Sequence, residues 1–228
     1  MSNIDSEGLH VRPVRLWETI MRMKSISTAF FLTCIAALIS AAANAQTDVA
    51  ASVYGAFSGT TTGNGTAQSP SNGAGALIEL RHISNPILGL EVTYSYNRAD
   101  QSYNCVGIGC PVGGLPSGPL PPVSVPANAH ELTADWVPSL HIANFRPFGV
   151  LGAGVLLNVP SGGPDTQTQT KAVYIYGAGL DWGFLPHIGL RVQYRGNLYK
   201  APDLTTLYSS TNNFTHTAEP MVGVYFRL

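Results

Sequence analysis

From Thr47 to the C-terminus the chain divides into eight stretches of roughly ten residues with two-residue alternation, joined by connectors that run long, short, long, short, long, short, long. The long connectors are Thr60 to Asn72, Asp100 to Asn128, Val159 to Thr170 and Lys200 to Asn213, all rich in Gly, Pro, Ser, Thr and Asn. Between them fall Ser84 to Pro86, Pro138 to Asn144 and Leu185 to Pro186. A soluble sandwich has no reason to sort loop lengths by side, whereas a barrel in an outer membrane has short periplasmic turns and long external loops. The pattern therefore predicts an all-β fold: an eight-stranded antiparallel up-and-down transmembrane β-barrel, with both termini on the short-turn side.

The placement of charge tests that reading without choosing a face first. Side chains two apart on a strand share a face. The pairs Glu79 and Arg81, Glu131 and Asp135, Lys171 and Asp181, Arg191 and Arg195, and Glu219 and Arg227 all have even separations. Independent placement would give that about one time in thirty-two. The opposite parity carries Ile78 and Leu80, Leu90 and Val92, Leu132 and Trp136, Tyr174 and Tyr176, Val192 and Tyr194, and Val222 and Val224. These are assigned to lipid, where a charge at the midplane would cost ~2–4 kcal/mol. Tyr174 and Trp182 lie on one strand at a spacing that suits two interfacial girdles, while Tyr54, Trp136, Tyr194 and Tyr199 fit girdle positions and ordinary strand positions equally well. Two strands are ambiguous: 50–57 is nearly all small residues, and 145–157 is apolar on both faces, with Arg146 placed inward and Leu151, Val155 and Leu157 outward.

The first 45 residues are read as lying outside the fold. Arg22 and Lys24 form a basic start, Ala29 to Ala43 an apolar run, and Ala43-Asn44-Ala45 a small-x-small cleavage site, the layout of a secretory signal peptide over 21–45. Residues 1–20 carry Asp5, Glu7 and Glu18 where such peptides are basic, so they are taken as a non-native extension from a misplaced start, and 46–228 as the barrel. Cys34 leaves with the signal peptide. Cys105 and Cys110 remain, and an oxidising compartment would let them form a disulfide.

Charged residues make up only 11% of the chain. The mature part holds eight Lys and Arg against ten Asp and Glu, which leaves no basic face for nucleic acid. His130, His187 and His216 are isolated and form no ligand spacing, so no metal and no cofactor is expected. The inward parity gathers Glu79, Glu91, Glu131, Asp135, Asp181 and Glu219 against Arg81, Arg146, Lys171, Arg191, Arg195 and Arg227. Six acids and six bases inside a barrel just wide enough to be filled by side chains predict a lumen charge network that keeps it nearly closed.

On these residues the chain resembles the small outer-membrane β-barrel proteins of the OmpA-transmembrane-domain type. The C-terminal Gly223-Val224-Tyr225-Phe226-Arg227-Leu228 is similar to that family's assembly signal, with Gly223, Phe226 and Leu228 in the matching places and Leu where the family usually ends in Phe. The resemblance implies an integral outer-membrane protein, exported by its signal peptide, monomeric, and handled by the barrel assembly machinery. The expected role is structural or surface-interacting and non-catalytic, with a surface ligand unidentified; the alternative is a narrow porin-like channel for small solutes. His82-Ile83-Ser84-Asn85 resembles the His-x-Ser-Asn stretch of lipid A 3-O-deacylases, but the Glu that family supplies about a dozen residues on is here Tyr96.

Overall fold

The computed structural model describes residues 45–106 and 121–228. The predicted signal peptide, the N-terminal extension and Cys110 lie outside the described residues. Ten strands run in chain order: β1 (Gln46–Ser58), β2 (Thr61–Gly63), β3 (Thr66–Pro70), β4 (Gly73–Ile83), β5 (Gly89–Cys105), β6 (Val123–Trp136), β7 (Phe145–Pro160), β8 (Gln169–Gly183), β9 (Ile188–Lys200) and β10 (Phe214–Arg227). Eight of them, β1 and β4 to β10, pair antiparallel with their neighbours. The ladder from Asp48↔Arg227 to Ser58↔Thr217 joins β1 to β10 and closes the ring. Closure satisfies every backbone group facing hydrocarbon, which an open sheet could not do.

Two segments differ from the pattern-based expectation. The connector Thr60 to Asn72 contains the β2–β3 hairpin, turned at Asn64 and Gly65, both at positive φ. Asn-Gly is the residue pair that such a primed two-residue turn demands, so a local signal overrides the polar composition. The connector Asp100 to Asn128 is strand at both ends, and the β5–β6 ladder continues to Tyr103↔Val123. It persists because β3 takes over as partner of β5 where β4 ends, pairing Thr66 with Cys105 through Pro70 with Gln101. Gln101, Tyr103, Val125 and Ala127 alternate inward and are buried.

Outward residues are the apolar ones. Val49, Val53, Ile78, Leu80, Leu90, Val92, Leu132, Leu151, Val155, Val192, Val222 and Val224 are all exposed on the barrel surface. Trp136, Phe145, Trp182 and Phe184 ring the short-turn end, with Trp136 donating its indole N–H to the Ile87 carbonyl at 2.6 Å. Tyr94, Tyr96, Tyr174 and Tyr176 ring the long-loop end, where His130 and His216 accompany them; the Tyr94 and Tyr176 hydroxyls each lie 2.9 Å from a histidine nitrogen. These bands suit the two interfacial girdles of a spanning barrel. Tyr54 and Tyr199, two of the girdle candidates, instead point inward and are buried. Register dictates this: Ala50 lies opposite Glu79, so the even positions of β1 share the inner face with that acid, and Tyr199 is an even step from Arg195.

Candidate functional site

The lower lumen, towards the short turns, is filled by three arginines and four carboxylates. β9 turns Arg191 inward from the ladder opposite Asp181. Its Nε donates to Asp181 Oδ1 at 2.7 Å, its Nη1 to Glu79 Oε2 at 2.8 Å, and its Nη2 to Asp48 Oδ1 at 2.9 Å. Arg146, from β7, donates through Nη2 to Asp48 Oδ2 at 2.8 Å and Asp181 Oδ2 at 2.7 Å. Arg81, from β4, bonds Glu91 Oε2 through Nε at 2.6 Å and reaches Asp181 at 3.5 Å. The Phe148 ring lies under Arg81, with the guanidinium carbon 4.0 Å from its centroid, and Tyr225 faces Arg191 at 5.5 Å. Arg81, Arg191, Asp48 and Glu79 have no exposed surface. Planar guanidinium forks with fixed donors suit such shared carboxylates better than lysine would.

A second group lies nearer the long loops. Arg195 approaches Glu131 Oε1 at 3.3 Å and Asp135 Oδ2 at 3.9 Å. Asn197 donates to Glu131 Oε2 at 2.9 Å, and Thr133 donates to Asp135 Oδ2 at 2.9 Å. Glycine is required beside this group, because a Cβ at Gly152 would collide with Asp135. Above it the lining is neutral: Tyr199, Thr217 and Ser58 form a chain of hydroxyls at 3.0 and 2.7 Å. A cavity of about 30 Å³ sits among these groups.

The mouth is covered by the loop after β9. Leu204 is fully buried against Tyr103, Val125, Ala127 and Tyr208. The Tyr103 hydroxyl donates to the Pro202 carbonyl at 2.8 Å and accepts from the Leu204 N–H at 2.9 Å. Two further loops tie into it: Asn64 donates to the Ser210 carbonyl, and the Thr206 N–H donates to the Asp165 carbonyl. This cap rests on contacts between segments distant in sequence.

The expected set of twelve lumen charges divides differently from a balanced array. Asp48 joins it, an acid that the pairing of charges within strands does not bring out because it stands alone on β1. Lys171 reaches Asp203 of the covering loop at 3.6 Å, and both are partly exposed at the rim. Arg227, half-buried at the opposite end, sits 5.9 Å from the Tyr225 ring and has no carboxylate within ion-pair reach among the described residues. Glu219 lies across the ladder from Arg195 and likewise makes no ion pair among the described residues. Alternation fixes the face of a residue but not its depth, and depth separates these rim and end residues from the array.

At the C-terminus Phe226 and Leu228 face outward, Phe226 stacking on His187, while Gly223 faces inward where a Cβ would strike Ser52. His82 holds the Thr47 hydroxyl through Nδ1 at 2.8 Å, and the Ser84 N–H closes the short turn onto the Leu88 carbonyl. Glu91 is engaged by Arg81. The His-x-Ser-Asn stretch is thus held by turn and strand-end contacts.

The family model of the outer membrane protein beta-barrel domain matches residues 30–226. Similar solved structures include the outer membrane protein OprG from Pseudomonas aeruginosa, at 12% identity and a TM-score of 0.50, covering 80% of this chain and 96% of that one. Neisserial surface protein A matches at 15% identity and a TM-score of 0.48, covering 81% and 99%. The attachment invasion locus protein of Yersinia pestis matches at 18% identity and a TM-score of 0.43, covering 80% and 99%. No curated protein matches the sequence significantly.

Proposed function

The chain belongs to the outer membrane protein beta-barrel domain family, and from that premise we propose that it is a closed, non-catalytic outer-membrane barrel whose interlocked loop layer faces the exterior and does the interacting. The observation that carries this reading is the arginine–carboxylate array across the lower lumen. Arg81 and Arg191 are wholly buried, and each is bonded to carboxylates from other strands. An eight-stranded barrel is just wide enough for such side chains to fill it. With the lumen filled below and Leu204 seated above, the surface left for a partner is the outer loop layer with the β5–β6 hairpin. The chain acts as a monomer in this proposal, with lipid against its apolar belt and the strand end carrying Gly223, Phe226 and Leu228 as the segment presented to the barrel assembly machinery. A disulfide between Cys105 and Cys110 would tether the segment that follows β5.

Solute flux tests the proposal. Vesicles carrying the refolded protein should swell in small sugars and amino acids no faster than empty vesicles. Rapid swelling would replace this reading with a narrow channel for small solutes.

A further inference from the structure

The charges of the lumen are not evenly matched along its axis. In the lower group Asp48, Glu79, Glu91 and Asp181 face Arg81, Arg146 and Arg191, an excess of one acid. In the upper group Glu131, Asp135 and Glu219 face Arg195 alone, an excess of two. Uncompensated charge away from water is costly enough that a counter-charge or a proton must answer it. The surplus acids border the cavity of about 30 Å³, which Glu131, Glu219, Asn197, Asn158, Tyr54 and Tyr199 help to line.

Two acceptors in that lining are unused. Glu219 is only 3% exposed, and its Oε2 has no hydrogen-bond partner. Asn197 spends its Nδ2 on Glu131, which leaves its Oδ1 unpaired. Asn158 contributes one unpaired donor, Nδ2, fit to hold a water. Two carboxylates and an amide oxygen are hard oxygen ligands of the kind calcium accepts in irregular geometry, with waters completing the shell, while magnesium demands a near-ideal octahedron. The volume suits an ion with one or two waters, at ~10–15 Å³ for each water position.

We propose that this chamber is a binding site for a calcium-type divalent cation, held by Glu219 and Glu131 with Asn197 Oδ1 and neutralising the two surplus charges of the upper lumen. The site is independent of whether the barrel conducts. It would tie β6, β9 and β10 together across the lumen from the inside.

Terbium is a calcium-like probe, and Tyr54 and Tyr199 line the same cavity, so the bound ion should emit when tyrosine is excited. The mature protein is refolded in zwitterionic detergent with Tb³⁺, freed of unbound ion and titrated with Ca²⁺. The proposal predicts saturable emission that Ca²⁺ displaces, with binding weakened about tenfold or more in Glu219→Gln and Asn197→Ala. A gel shift between unheated and boiled samples verifies that each variant is folded. Emission equal in the wild type and in folded Glu219→Gln would place the ion on the loops and overturn the proposal. Absence of emission from the wild type would mean that protons answer the surplus charge, and would overturn it equally.

Discussion

Replacing Arg191 by Ala removes the guanidinium that hydrogen-bonds three carboxylates at once and lies 3.8 Å from a fourth, Glu91. The loss is unequal among them. Asp48 keeps Arg146 at 2.8 Å, and Asp181 keeps Arg146 at 2.7 Å and Arg81 at 3.5 Å. Glu79 keeps nothing comparable, because its Oε2 bonds Arg191 and its Oε1 has no partner. Arg191→Ala therefore strands one fully buried carboxylate. Removing one partner of a buried pair costs ~3–5 kcal/mol, chiefly the penalty on the charge left behind. That is a loss of more than about a hundredfold in the folded-to-unfolded ratio. If the cost belongs to Glu79, then adding Glu79→Gln to Arg191→Ala should return ~1–3 kcal/mol of it, since neighbours in one network couple strongly. Urea unfolding in lipid vesicles, followed by emission of the lipid-facing Trp136 and Trp182, measures Arg191→Ala, Glu79→Gln alone and the double variant. The midpoint should fall while the slope with urea stays unchanged. A cost below ~1 kcal/mol for Arg191→Ala, or strict additivity in the double variant, would show that water already compensates these charges and that the array does not hold the lumen.

The C-terminal strand should separate two effects: Phe226→Ser should lower the surface yield of barrel in cells while the purified protein keeps its urea midpoint, and Tyr225→Ser, which opens space beside Arg191, should lower the midpoint. Indistinguishable behaviour of the two would remove the assembly role assigned to Phe226. Double replacement of Cys105 and Cys110 by Ser should leave insertion intact, since a disulfide between them would close a very short loop, worth only about 2 kcal/mol in the chain-entropy model, beyond the end of the β5–β6 ladder. Failure of that variant to assemble would show that the hairpin is needed for barrel closure. Leu204→Asp should free the covering loop, read as faster proteolysis between β9 and β10, with the barrel itself undisturbed; unchanged cleavage would mean that Leu204 is not what holds the cap.

Much of the fold is legible in the sequence because a membrane barrel repeats one rule along each strand. Even spacing of Glu79 with Arg81, or Arg191 with Arg195, identifies an inner face that the structure fills with those same side chains. Asp48 carries the missing information for β1: it shares parity with Tyr54, and an acid on the lumen face sets Tyr54 inward with it. Tyr199 was likewise fixed by its even distance from Arg195. The β2–β3 hairpin was signalled by Asn64-Gly65 inside a segment whose polar composition reads as a connector. Other features had no local signal. That Lys171 meets Asp203, that Leu204 seats beside Tyr103, and that Glu219 lies beside a cavity with its Oε2 unpartnered depend on strand stagger and on loops folding back, which alternation does not encode. The family match secures the outer-membrane barrel, while the depth of each charge came only from the three-dimensional register.

Single-channel recording of the refolded barrel in a planar bilayer tests the closed lumen most directly. The unmodified barrel should show small or intermittent currents, because Arg81, Arg146 and Arg191 with their carboxylates occupy the lower lumen and Leu204 closes the mouth. Arg191→Ala should raise the conductance by freeing a charge in the filled section and admitting water, whereas Glu131→Ala, which leaves that section intact, should change it little. A wide, steady current through the unmodified protein, indifferent to Arg191→Ala, would contradict the account.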